Sequence, residues 1–204
     1  DLPGVFTYRT MADVVALEEW VRLRSSTLGR PLAGAVVGGG VLGLEAAAAL
    51  QTLGTSATVV EFSDRLMSVQ LDPGGGEALR VLVTDLGFDV RTSTGATRLG
   101  AAGDGAVATM ELSDGSSVPA DVVVFSTGVR PRDRVAREAG LAVGERGGVV
   151  VGPTCRTSDP AVWAIGECAS YEGECTGLVA PGNKMAEVVV DQLLGGTSTY
   201  ETFP

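Results

Sequence analysis

Histidine is absent from the 204 residues, and only three cysteines occur, Cys155, Cys168 and Cys175. Without histidine the chain can hold no Ser–His–Asp hydrolase centre, no His-liganded zinc and no imidazole general base. The cysteines are odd in number and form no C-x-x-C pair, so they read as free thiols of a cytoplasmic protein rather than as a disulfide framework or cluster ligands. No uninterrupted apolar run reaches the roughly 18 residues of a membrane span. The opening DLPGVFTYRT lacks the basic start and apolar core of a signal peptide and reads like the interior of a longer chain. Basic residues number 15 against 25 acidic ones, a net charge of −10. That balance argues against a nucleic-acid or anionic-membrane partner, although local donors can still hold a phosphorylated cofactor. Internal repeats and low-complexity segments are missing as well.

What the chain does have is apolar content and glycine. Hydrophobic residues make up 45 % and charged residues 20 %, enough for a globular core. The 29 glycines follow no three-residue period and cluster at turns between short elements. Along the chain, Val5–Tyr8 reads as a strand and Thr10–Arg24 as a helix capped by Thr10 or Asp13, with Ser25–Pro31 as a linker. Ala33–Val37 reads as a buried strand. A helix from about Leu42 to Leu53 follows, ended by Gly54, and then a strand, Ala57–Glu61. Gly74–Leu86 reads as a helix and Phe88–Thr92 as a strand. Val107–Leu112 and Ser117–Pro119 flank a hairpin turn at Asp114-Gly115, and Asp121–Ser126 is an apolar strand. Beyond Pro131 the expected elements are a short helix at Val135–Ala139, strands at Gly148–Val151 and Val162–Ile165, and a closing helix from about Asn183 to Leu194. The fold class is α/β: a mostly parallel sheet with helices on both faces and a small antiparallel meander at Val107–Pro119.

The sharpest motif is G-x-G-x-x-G, formed by Gly38, Gly40 and Gly43, with Gly39, Val41 and Leu42 filling the turn. It follows an apolar strand, opens a helix and sits in a unit that ends at an acid, Glu61, which is the context a dinucleotide fingerprint requires. Gly38 permits the tight turn, Gly40 lets the backbone approach a pyrophosphate, and Gly43 lets helix and strand pack closely. The helix N-terminus then offers unpaired N–H groups and its positive dipole end to the phosphates. Glu61 is placed to accept from the adenosine ribose hydroxyls. It repels a 2′-phosphate, which selects NADH and leaves NADPH weaker. Arg65, one turn later, softens that preference. Glu45, on the first turn of the helix, is placed to reach toward the nicotinamide half, or else is an ordinary surface glutamate.

The strings VVGGGVLGLEAAAAL, VVEFSDRLM, QLD, VFSTGVRPRD, TSDPAVWAIGECAS and GLVAPGNKMAEVVVDQLLG resemble the pyridine-nucleotide-disulfide-type flavoprotein reductases. More narrowly, they resemble the large subunits of assimilatory NADH-dependent nitrite reductases. The likeness runs from Val5 to about Gly196. It implies that Gly128 marks where the backbone closes over the dinucleotide. It also implies that Gly166 and Glu167 stand where the superfamily's Gly-Asp meets the FAD ribitol, with Glu in place of Asp. Ala180 and Pro181 then open a helix whose N-terminus faces the flavin ring. The superfamily's FAD domain begins with its own G-x-G-x-x-G unit, and no second one occurs here. The expectation is therefore a central fragment. Residues 1–30 form a partial FAD-domain segment and linker, 31–130 the NADH-binding Rossmann domain, and 131–204 the C-terminal part of the FAD domain. Its partners would be the missing N-terminal FAD half and C-terminal redox domains of the same chain. Those redox domains would hold the parent's iron–sulfur cluster and sirohaem. No catalytic side chain and no metal ligand is expected in this chain. Two other readings stay open: another NADH:FAD reductase, such as a ferredoxin reductase or NADH oxidase, and a non-catalytic dinucleotide-binding module.

Overall fold

Alternation along the buried strands decides the architecture. The computed structural model describes residues 2–202, and the chain divides into two units, Asp1–Gly128 and Val129–Pro204. The first is built on a five-stranded parallel sheet of order β1-β8-β2-β3-β4, from β1 (Val5–Thr7), β2 (Ala33–Val37), β3 (Ser56–Val60), β4 (Asp89–Arg91) and β8 (Val122–Phe125). Successive side chains leave opposite faces of a strand. Val36, Val59, Val122 and Val124 join a core with Leu17, Val21, Ala46, Leu50 and Val83 from the helices α1 (Met11–Leu28), α2 (Val41–Thr52) and α3 (Pro73–Asp85). Their neighbours Ala35, Val37, Val60 and Val123 point the other way, into a second core with Val107, Met110, Leu112 and Val118. That second core is shared with an antiparallel sheet, β5 (Ala96–Ala101), β6 (Val107–Leu112) and β7 (Ser117–Pro119).

The order of layers is thus helices, parallel sheet, meander. The expectation of helices on both faces is corrected: the meander, by burying Met110 and Leu112, covers the face a second set of helices would need. Strand β5 was not foreseen, because register shifts at Ala96/Arg98 and Gly100/Ala101 break its two-residue period.

Strand β1 pairs in parallel with β8, and Leu17 and Val21 of α1 are buried in the helix-side core, so this segment folds as part of the first unit. The expected linker after Arg24 is helical to Leu28. Ser25 and Thr27 return their hydroxyls to the carbonyls of Arg22 and Leu23, and Gly29 ends the helix with φ 62°. Thr10 does cap α1, forming a reciprocal capping box with Asp13.

The second unit pairs β9 (Val149–Val151) with β10 (Ala169–Tyr171) in parallel and adds the short α4 (Arg134–Glu138) and α5 (Val179–Leu193). Its core holds Val151, Cys155, Ala169, Met185, Val188 and Tyr200, and Tyr171 meets Tyr200 edge to face at 5.2 Å. The strand expected at Val162–Ile165 does not form. The segment folds back on Cys155–Thr157 through two backbone hydrogen bonds, held by the Arg156 guanidinium over the Trp163 ring at 4.5 Å. The second strand lies later, at β10. The three cysteines are free thiols, and burial raises the pKa of Cys155 and Cys175.

Candidate functional site

The carboxyl edge of a parallel sheet is where the strands stop and the loops diverge, and ligands bind there in this class of fold. Here β2 ends at Val37 and the chain turns through Gly38 (φ 114°), whose N–H donates to Val60 O at 2.8 Å. The three fingerprint glycines prove unequal. A Cβ on Gly38 would collide with the carbonyl of Ser126, and one on Gly43 with the carbonyl of Gly38. Protein packing alone therefore forbids any side chain at these two. Gly40 is different: its φ of −81° suits any residue, and no atom lies within 4 Å of where its Cβ would be. The space it leaves opens into a cleft of about 360 Å³.

That cleft is lined by Val37, Gly38 and Gly40 of the turn, by Glu61, Phe62 and Ser63 after β3, and by Ser126, Thr127 and Gly128 after β8; Met67–Gln70 and Thr94-Gly95 complete its wall. At its head α2 begins without a side-chain cap, since Gly40 occupies the N-cap position. Its first N–H groups therefore have no side-chain acceptor. Glu61 is fixed from two sides: Oε2 accepts from Gly39 N at 2.5 Å and Oε1 from Ser63 N at 2.7 Å. A carboxylate oxygen can accept more than one hydrogen bond, so both retain capacity for a further donor.

Of the residues singled out from sequence, Gly38, Gly40, Glu61 and Gly128 come together in this cleft. Gly39 serves it through its bond to Glu61, and Gly43 through the fit of helix against turn. Val41 and Leu42 are half exposed, Glu45 is exposed, and none of the three lines the cleft. Arg65 is not in the cleft either. Its guanidinium is taken up by the carbonyls of Leu71 (3.0 Å) and Ser68 (3.3 Å) and by Asp64 (2.7 Å). Any softening of cofactor preference by Arg65 would have to come from a guanidinium already engaged with these three acceptors. Phe62, Met67, Val69 and Thr94 escaped the sequence reading. For the first three the sequence offered only an aperiodic segment, 62–71; the structure leaves its apolar Phe62 and Val69 82 % and 90 % exposed.

Within the second unit, Gly166 and Glu167 lie on a 3₁₀ turn, Gly166–Cys168, set against the start of α5. Gly166 N donates to Met185 Sδ at 3.4 Å, and a Cβ on Gly182 would stand 3.4 Å from Gly166 Cα. Helix α5 begins after its N-cap Leu178 with no side-chain cap; Ala180 and the buried Pro181 lie in its first turn, and Glu167 is exposed on the 3₁₀ turn packed against that helix. Among the described residues no group of three His, Cys, Asp or Glu is placed to hold a metal ion, and no helix is long and apolar enough to cross a membrane.

A βαβ unit with a glycine turn, an uncapped helix and a cleft at the strand ends defines a Rossmann-type, dinucleotide-binding class of protein. Residues 1–190 match the family described as pyridine nucleotide-disulphide oxidoreductase, and the chain belongs to that family. It is 48 % identical over 201 residues to the nitrite reductase (NADH) large subunit of Escherichia coli (strain K12), covering 98 % of this chain and 23 % of that protein. It is 46 % identical over 200 residues to the nitrite reductase NAD(P)H large subunit of Klebsiella oxytoca, covering 98 % and 20 %. Among solved structures, the ferredoxin reductase for the CYP199A2 system from Rhodopseudomonas palustris superposes with a TM-score of 0.87 at 31 % identity, covering all of this chain and 50 % of that one. The chain spans about a fifth of the length of the two nitrite reductase subunits.

Proposed function

We propose that this chain is the NADH-binding part of a flavoprotein reductase that passes hydride from NADH to FAD. The observation that carries the reading is Gly40, a position where the protein itself leaves room for a side chain and the space opens into the cleft. In this reading the pyrophosphate takes the space beside Gly40 and the free N–H groups of α2. The ribose hydroxyls of the adenosine donate to Glu61, and Gly128 closes the far end. The flavin, when bound, supplies the two-electron acceptor. On this chain Gly166, Glu167 and the start of α5, at Ala180 and Pro181, are the residues that would hold it. No side chain here is needed as an acid or base, because hydride transfer between rings depends on positioning.

In the longer, cytoplasmic parent the electrons go on through an iron–sulfur cluster and sirohaem to reduce nitrite to ammonia, a step assigned to other regions of that chain. The resemblance to a ferredoxin reductase favours a second acceptor, an iron–sulfur protein. Titration of the purified 204-residue chain with NADH tests the core of the reading. One NADH should bind per chain, with no stoichiometric FAD retained and little NADH oxidation. Absence of NADH binding would overturn the reading. A yellow protein oxidising NADH rapidly would show a complete reductase instead of a part of one.

A further inference from the structure

We propose that Arg65 is a positioning residue, a pin that holds the segment 66–71 as the adenosine-side wall of the cleft, and that it is not an anchor for a phosphate. The inference rests on the cleft being the NADH site. The wall residues Met67, Ser68, Val69 and Gln70 belong to a stretch with neither helix nor strand to hold it. Besides the Ser68 hydroxyl, which donates to Ser63 Oγ at 3.1 Å, three attachments replace that support. Leu66 is fully buried against Gly39. Met67, at φ 48°, donates its N–H to Gly39 O at 3.0 Å and so ties the wall to the glycine turn. The third attachment is the Arg65 fork. Its Nε and one terminal nitrogen donate to Leu71 O and Ser68 O, on either side of Val69 and Gln70. Its stem fills the space left by Gly76 in the first turn of α3, where a Cβ would meet the Arg65 Cδ at 2.8 Å.

A guanidinium suits this task because its donors lie in one rigid plane and reach two carbonyls at once, which an ammonium does not reproduce. Committed this way and paired with Asp64, it spends three of its five N–H groups on the protein itself and does not line the cleft. Among the described residues that line the cleft there is no arginine and no lysine. Nothing cationic then offsets Glu61, so the discrimination against NADPH falls on that carboxylate alone.

The test compares the unsubstituted 204-residue chain with Arg65→Met, which keeps the stem against Gly76, and Arg65→Lys, which keeps the charge. Each is titrated with NADH, NADPH and AMP, and amide hydrogen exchange is followed without ligand. Two lost hydrogen bonds correspond to roughly a tenfold loss in affinity. Both variants should bind NADH and AMP about tenfold more weakly, with the NADH:NADPH ratio unchanged. The amides of Val69 and Gln70 should exchange faster, while those of α2 do not. Selective loss of NADPH, or full retention by Arg65→Lys, would make Arg65 a charge anchor and overturn the proposal. Unchanged NADH affinity in both variants would overturn it too. If Arg65→Met fails to fold, Arg65→Lys gives the same readings. If the unsubstituted chain binds no NADH, the reading of the cleft fails instead, and the exchange of Val69 and Gln70 still reports whether the pin exists.

Discussion

The two edges of the parallel sheet in the first unit use polar groups in opposite ways. At the amino edge the charges of Asp121, Arg30, Arg24 and Asp104 are turned on one another. Asp121, whose side chain is 8 % exposed, accepts from both terminal nitrogens of Arg30 at 2.8 and 2.9 Å and from Ala33 N at 2.8 Å. The Trp20 indole N–H donates to the Asp121 carbonyl, and Arg24 closes on Asp104, which also takes the N–H of Ala106. At the carboxyl edge the account is left open: α2 has no side-chain cap, Gly40 faces empty space, and Glu61 is oriented by two amides with acceptor capacity to spare. The difference separates groups that stabilise the fold from groups that wait for a partner, and it predicts that substitutions at the two edges move different measurements.

Gly40→Val is the largest expected effect. Its side chain would stand where the pyrophosphate is placed, so calorimetric titration should find NADH binding lost while circular dichroism and thermal stability stay close to those of the unsubstituted chain. Gly43→Val is its opposite, because the clash is with the Gly38 carbonyl. It should destabilise the fold by about 3 kcal/mol or more. If Gly40→Val binds NADH normally, the open edge is merely a turn and the contrast between the edges disappears.

Glu61→Arg follows. Charge-assisted hydrogen bonds contribute about 1.5–3 kcal/mol, so NADH should bind roughly ten- to a hundredfold more weakly. NADPH should gain, since a guanidinium matches a phosphate. Paired titrations measure the change in the NADH:NADPH ratio, and an unchanged ratio would remove Glu61 from the adenosine ribose. The fold itself should lose some stability as well, because Gly39 N and Ser63 N lose their acceptor.

Much of this contrast could be read from the sequence, and the parts that could not have physical reasons. The β2–α2–β3 unit and Glu61 were legible because glycine spacing, apolar runs and a strand-end acid are local features. The side of the sheet that each valine faces was not, since Val59 and Val60 are identical as letters and only the meander distinguishes them. The helical continuation through Ser25 and Thr27 was hidden because those hydroxyls, poor for helix interiors in isolation, bond back to carbonyls one turn earlier. Arg65 read as a free cation near a cofactor because nothing in one dimension shows that Leu71 and Ser68 turn their carbonyls toward it.

The amino edge gives a pH signature. Burial alone would raise the Asp121 carboxyl, but the Arg30 guanidinium and the Ala33 N–H outweigh it, and the pKa lies below the ordinary carboxylate value. A depressed pKa stabilises the fold above the unfolded value, near 4, and that contribution is lost as pH falls through the folded value. Asp121→Asn should therefore cost about 2 kcal/mol at pH 7 and flatten the decline of stability in denaturant titrations below about pH 4. NADH affinity at pH 7 should be unchanged. A matching loss of NADH affinity would mean that the two edges are coupled and not independent.

The smallest effect tests whether the open helix start is particular to α2 or general to the carboxyl edge. Helix α1 begins at that same edge, just after β1, yet its first turn is closed by its own residues. Asp13 N donates to Thr10 Oγ1 at 3.2 Å, and Asp13 Oδ2 accepts from Thr10 N at 2.7 Å. Those bonds hold the Asp13 carboxyl below its ordinary pKa. A side-chain cap is generally worth about 1 kcal/mol, which for a chain of this size corresponds to a shift of about 2–4 °C in Tm. Thr10→Ala should show that shift and leave NADH affinity untouched, since Thr10 serves only its own helix. Gly40→Ser makes the reverse change. Its backbone already has the extended N-cap geometry, φ −81° and ψ −176°, so a serine hydroxyl there can reach the N–H groups of Leu42 or Gly43. Replacing glycine at a cap gains only a few tenths of a kcal/mol, so Tm should rise slightly or stay level while NADH binding weakens. Should Thr10→Ala weaken NADH binding, or Gly40→Ser leave it intact, capped and uncapped helix starts would not divide structure from ligand at this edge.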